Sequence, residues 1–156
     1  MDRKIAGFSL FELLVSFAIL SILMYVGISQ YARYKAEREL VRQANMLADE
    51  ISWIRSQSIA KEPHGIKIDV KNYTIFKDDG DCQLTDNDTI VSRNNFLTGI
   101  SADTLTVVFD RRGYCYNTSC GLGNSSITLR NDRGSTRLIC ISRYGRIRVE
   151  REKCPN

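Results

Sequence analysis

From Phe8 to Ala32 the chain is almost uniformly apolar, and Glu12 is the only side chain there that is charged at neutral pH. A membrane-spanning helix needs roughly 20 such residues, so the run predicts one. After Arg33 the pattern turns amphipathic. Leu40, Ala44, Leu47, Ile51, Ile54 and Ser58 recur at spacings of four, three, four, three and four, the period of a helix that buries one face. Arg38, Glu39, Arg42, Gln43, Asp49, Glu50 and Arg55 fall between them and suit a solvated face, while Trp53, beside the stripe, reads as a packing residue. No proline or glycine interrupts between Ser29 and Lys61, and Glu62-Pro63-His64-Gly65 supplies the stop, with His64 as a turn residue. One helix from about Phe8 to Ala60 is expected. Its first half is apolar on every side, and its second half needs a surface to cover Leu47, Ile51 and Ile54.

Beyond Gly65 the period drops to two. "GIKIDV" and "YTIFK" alternate apolar and polar residues around a turn at Lys71-Asn72, and "TIVSR", "TLTVVF", "SITLR", "TRLICI" and "RIRVE" continue the pattern. Segments rich in Asp, Asn and Gly separate them. These runs predict an antiparallel sheet of six or seven short strands over the helix, an α+β arrangement. The chain thus divides into a leader at 1–7, an apolar half-helix at 8–32, an amphipathic half-helix at 33–60 and a β-rich globular region at 61–156.

The 156 residues carry a net charge of only +4, but its distribution is uneven. Residues 61–110 balance to −4 and residues 130–153 to +5, an asymmetry that creates a local positive field on a nearly neutral molecule. Five cysteines, Cys82, Cys115, Cys120, Cys140 and Cys154, lie in the distal half with no CxxC pair, and His64 is the only histidine. Zinc is therefore not expected, and disulfides in an oxidising compartment fit better. Cys115 with Cys120 and Cys140 with Cys154 are candidate pairs; the odd count leaves one thiol over and the connectivity open. The acidic loop from Asp78 to Asp88 lacks the ligand order of an EF-hand, so no metal is expected. "GLGNSS" has neither Rossmann nor P-loop spacing. No nucleophile–base pair stands out, so the chain reads as a non-enzyme without a cofactor.

The basic excess is concentrated in "TRLICISRYGRIRVEREK". Two alternating runs flank Ser142 to Gly145, and Gly145 suits the left-handed position of a short hairpin loop. Ile147 and Val149 then face the core, while Arg146 and Arg148 share the opposite face, because residues i and i+2 align on a strand. Arg143 stands at the loop tip with Tyr144 beside it, and Arg130, Arg133, Arg137, Arg151 and Lys153 extend the patch. Guanidinium forks match phosphate oxygens, a row of them binds a nucleic-acid backbone independently of sequence, and Tyr144 is placed to stack on a base or sugar. A second reading stays open. Charges on an edge hairpin deter the addition of further strands, and Glu150 and Glu152 are near enough in sequence to neutralise Arg148 and Arg151.

Arg3 and Lys4 precede the apolar run, which by the positive-inside rule leaves the amino terminus in the cytoplasm. A cleavable secretory signal would carry small residues after the core. Here "GISQYARYKAERE" comes after the core and the small residue Gly7 precedes it. "GFSLFELL" resembles the class III signal of type IV prepilins. The resemblance implies cleavage after Gly7 by a prepilin peptidase, N-methylation of Phe8, and a Glu12 that meets the terminal amine of a neighbouring subunit, two charges that relieve each other's desolvation only when paired. It further implies a single pass through the inner membrane with a periplasmic globular domain, then assembly with other pilins into a surface filament. With one long helix, a small sheet and this length, the chain is similar to the GspH/FimT family. There, FimT-like minor pilins of competent bacteria carry a GRxR motif near the carboxyl terminus that is implicated in binding DNA. "GRIR" at 145–148 is similar to it. The resemblance implies double-stranded DNA as a partner, natural transformation as the role, and Arg146 and Arg148, with Arg143, as phosphate contacts. The other reading is a structural pseudopilin of a type II secretion system without nucleic-acid binding.

Overall fold

The computed structural model describes residues 9–154. Gly7 and Phe8 lie outside them. A single helix, α1, runs from Leu10 to Ala60. Two compact units divide it, one ending at Lys35 and one beginning at Ala36. In the first, the helix is long and apolar enough to cross a membrane, Glu12 lies in its first turn, and the described side chains up to Gln30 are all exposed.

In the second unit the predicted stripe is the buried face. Leu40, Ala44, Leu47, Ile51, Ile54 and Ser58 are fully enclosed. Trp53 is 45% exposed and does not join the core, because it falls off the stripe onto the outer face. The helix stops where Pro63 removes a backbone donor. Ser58 ties that stop to the residues beyond it: its hydroxyl donates to the Ile54 carbonyl and accepts the amide of His64. His64 is not a turn residue. It opens the first strand, buried, with Nδ1 2.6 Å from the Glu62 carbonyl oxygen.

Nine strands succeed the helix: β1 His64–Ile68, β2 Asn72–Lys77, β3 Thr89–Asn95, β4 Ile100–Ala102, β5 Leu105–Phe109, β6 Cys115–Tyr116, β7 Ser125–Asn131, β8 Thr136–Ile141 and β9 Ile147–Glu150. All pair antiparallel, but in two sheets rather than one, in the orders β3-β2-β1-β5-β6 and β4-β7-β8-β9. The two missed strands, β4 and β6, have three and two residues, too few to display an alternation. The first hairpin turns over Asp69–Asn72, with the Asp69 amide donating to the Asn72 carbonyl, and Asn72 already pairs with Asn95.

One core joins the helix stripe to both sheets, through Ile66, Ile68, Val107 and Phe109 of the first and Ile127, Leu129, Ile139 and Ile141 of the second. Among the described residues, all the buried hydrophobic side chains lie from Leu40 onward, so a fragment beginning at Ser29 keeps that core. A smaller cluster of Phe76, Val108 and Cys82 sits on the other face of β2 and β5. Gly65 makes it possible, since a Cβ there would overlap the Phe76 ring.

Two disulfides join Cys82 to Cys120 and Cys140 to Cys154. The second is the expected pair. The candidate pair Cys115–Cys120 does not form: Cys115 is the thiol left over, fully buried in β6 as part of the core. Cys120 sits in an exposed loop and reaches the β2–β3 connection instead.

Candidate nucleic-acid interface

The β8–β9 hairpin turns through Ser142 to Arg146. The Ser142 amide donates to the Arg146 carbonyl at 2.9 Å and the Gly145 amide to the Ser142 carbonyl at 2.8 Å, while the Ser142 hydroxyl accepts the Arg146 amide at 3.0 Å. Gly145 has φ +77°, the left-handed conformation expected of it. The turn is also pinned from outside. Asn124 Oδ1 accepts the Arg143 amide at 2.8 Å, the Cys115 amide donates to the Arg143 carbonyl at 3.0 Å, and Arg55 donates through Nε to the Gly113 carbonyl at 3.1 Å and lies 3.5 Å from the Tyr144 carbonyl.

This frame sets the side chains. Ile147 and Val149 pack against the core, whereas Arg146 and Arg148 line a cleft of about 520 Å³ together with Arg143, Tyr144, Asn124 and Ser126. Arg143, Tyr144 and Arg146 are exposed and Arg148 is half-buried. Cys140 stands opposite Arg148 in the ladder, and its disulfide brings Cys154 to the same cleft. The Arg143 guanidinium lies 5.5 Å over the Tyr144 ring, and Tyr144 meets Tyr114 edge to face at 5.8 Å. Among the described residues, no carboxylate lies within ion-pair distance of Arg143, Arg146 or Arg148. Three guanidiniums and an aromatic ring therefore share one open concavity that carries excess positive charge.

The rest of the expected patch is elsewhere or engaged. Arg137, its side chain only 12% exposed, and Arg151 both bond Glu37 Oε1, at 2.9 and 3.0 Å. One helix carboxylate engages both, away from the cleft, and offsets one of their two charges. Arg130 is paired with Asp103 at 2.7 Å. Glu152 forms no ion pair with Arg151 among the described residues, because Glu37 takes that place. Lys153 is exposed and does not line the cleft. Sequence reasoning missed Arg55, which the helical pattern assigns to solvent. Its role arises only once the loops around Gly113 and Tyr144 fold against that turn of the helix.

The Glu37 cluster has a titration signature. Hydrogen bonds from Arg137 and then Arg151 hold the Glu37 carboxyl below its ordinary value of 4.5. A lowered folded-state pKa contributes stability above the unfolded value, and that contribution is lost as pH falls through the folded one. The expected result is a Glu37 carboxyl NMR titration with its midpoint below 4.5, and Glu37→Gln removing the corresponding part of the acid-induced loss of stability.

The first residues match the model of the prokaryotic N-terminal methylation motif, over residues 2–24. No curated protein matches the sequence. The fold is similar to that of the type IV minor pilin FimU of Pseudomonas aeruginosa, at a TM-score of 0.59 and 16% identity over 78% of this chain and 96% of that one. It is also similar to the minor pseudopilin EpsH from the type 2 secretion system of Vibrio cholerae, at a TM-score of 0.55 and 13% identity over 72% and 97%. The chain thus joins an N-terminal methylation motif to a type IV pilin-like fold. That fold is shared by a minor pilin and a minor pseudopilin alike.

Proposed function

We propose that the chain is a minor type IV pilin that holds extracellular DNA in the cleft of Arg143, Arg146 and Arg148. After prepilin peptidase cleaves behind Gly7 and Phe8 is methylated, the apolar half-helix keeps the subunit in the inner membrane with its globular part on the periplasmic side. Glu12, with its partner amine on a neighbouring pilin, then favours entry into the filament, and the exposed hairpin meets DNA at the cell surface. This supports DNA uptake in natural transformation. The observation that carries the reading is the convergence on one cleft of three guanidiniums that have no carboxylate partner among the described residues. Among the described residues these three guanidiniums form no side-chain hydrogen bond, which leaves their donors for phosphate.

Binding by one subunit is weak, with Kd on the order of 10⁻⁵ M, as for backbone-directed contacts. Copies along a filament raise it by effective concentration. The test is a fluorescence anisotropy titration of unrelated duplex sequences with the fragment beginning at Ser29, at about 50 and 200 mM salt. Saturable, sequence-independent binding that weakens with salt is expected. Failure to bind at the lower salt overturns the reading and leaves a structural pseudopilin without a nucleic-acid partner.

A further inference from the structure

The connection between β2 and β3 brings the acids of the Asp78–Asp88 loop together in a way the sequence order does not announce. Asp78 and Asp79 leave the end of β2, and Asp88 precedes β3. One oxygen from each of the three carboxylates lies within 4.8 Å of the others. The loop is folded to hold them there. The Asp79 and Thr85 amides donate to Asp88 at 3.1 and 2.7 Å, the Gly80 amide donates to Asp78 Oδ2 at 3.1 Å, and the disulfide from Cys82 anchors the middle.

Three carboxylates at this spacing repel one another, and on an open surface water relieves them. Asp78 has no such relief. It is only 8% exposed, and its Oδ1 is enclosed with no hydrogen-bond partner among the described residues. An ionised carboxylate oxygen enclosed without a donor is strongly unfavourable. Here it belongs to the same carboxylate that reaches two further acids, so a cation bound among them offsets both the buried charge and the mutual repulsion.

We propose that Asp78, Asp79 and Asp88 form a calcium site that clamps the β2–β3 connection. The donors are all oxygen, and the nearby cysteines are consumed in a disulfide, which favours a hard cation over zinc. Carboxylates drawn from the two ends of an irregular loop suit the adaptable, six- to eight-oxygen shell of calcium, which water completes, better than the rigid octahedron of magnesium.

The test uses the full chain in non-ionic detergent micelles, freed of metal by a chelator, with calcium chloride added in calorimetry and in thermal unfolding. One ion per chain is expected, with Kd on the order of 10⁻⁴ M, the range of extracellular calcium modules, and a midpoint raised by about 5 °C at ten times Kd. Magnesium chloride at the same concentration is expected to give less than half that shift. Asp79 is exposed and joins the loop through its backbone amide, so Asp79→Asn keeps the fold and weakens calcium binding at least about tenfold. Asp78→Asn retains an acceptor for Gly80 while deleting the enclosed charge. It raises the midpoint without calcium and abolishes the response to it. No calcium response in the parent chain, an equal response to magnesium, or an undiminished response in both variants overturns the site.

Discussion

Replacing Arg146 and Arg148 together by alanine is expected to weaken duplex binding by about 10- to 100-fold and to lower the slope of log affinity against log salt by about two. The size comes from what the side chains do. Each guanidinium that meets a phosphate displaces roughly one condensed counterion, so losing two contacts removes their release as well as their hydrogen bonds. The loss is expected to be the same for every duplex sequence, because backbone contacts position a duplex without reading it. The fold is expected to survive, since Ile147 and Val149 carry the core contacts of β9 and remain. The informative control is the pair Arg137→Ala and Arg151→Ala, which removes the same formal charge from the same end of the chain. Those two arginines are held by Glu37, so their removal is expected to change affinity less than about threefold through the long-range field alone. Anisotropy titrations of the Ser29 fragment at several salt concentrations measure both quantities. Equal losses from the two double variants would mean that net charge, not the cleft, holds the DNA.

Much of this arrangement is legible in the residues themselves. The stripe from Leu40 to Ser58 predicts its own burial because a helix repeats every 3.6 residues and only one face meets a sheet. The hairpin and the alternation of Arg146 and Arg148 with Ile147 and Val149 arise from local chemistry, a glycine where φ must be positive and a strand period of two. What the sequence hides is whatever depends on distant partners. Glu37 precedes Arg137 and Arg151 by 100 and 114 positions, and only the packing of helix on sheet makes them neighbours. The nearer candidates, Glu150 and Glu152, are not what neutralises Arg151. Cys115 and Cys120 look like a short loop until β6 turns Cys115 into the core. The division of one expected sheet into two is invisible for a related reason. It depends on which strand edges meet, and β4 pairs with β7 through three register positions far apart in sequence.

Gly145→Ala is expected to cost about 3 kcal/mol of folding stability, a large effect for one methyl group in a hairpin turn, and to weaken DNA binding without removing any charge. Two causes add. A side chain at φ +77° is strained by roughly 1–2 kcal/mol. The added carbon would also overlap the Gly113 carbonyl oxygen and the Arg55 side chain, and overpacking against a fixed backbone costs about 1–3 kcal/mol. Both obstacles are part of the frame that aims the hairpin, since Arg55 bonds Gly113 and approaches Tyr144, so relief of the clash displaces Arg143 and Tyr144 from the cleft. Urea unfolding of the Ser29 fragment measures the stability term. Anisotropy titration with duplex DNA measures the second, with the salt slope expected to fall by less than in the arginine double variant, because all the guanidiniums remain. Arg55→Ala isolates the Arg55 share of the overlap. With the Arg55 side chain gone, one obstacle disappears, and the added cost of Gly145→Ala is expected to shrink by about 1 kcal/mol, a non-additivity that contacting residues show and distant ones do not. Strict additivity would mean that the positive φ and the Gly113 carbonyl demand glycine without help from Arg55, and that Arg55 does not set the position of the turn.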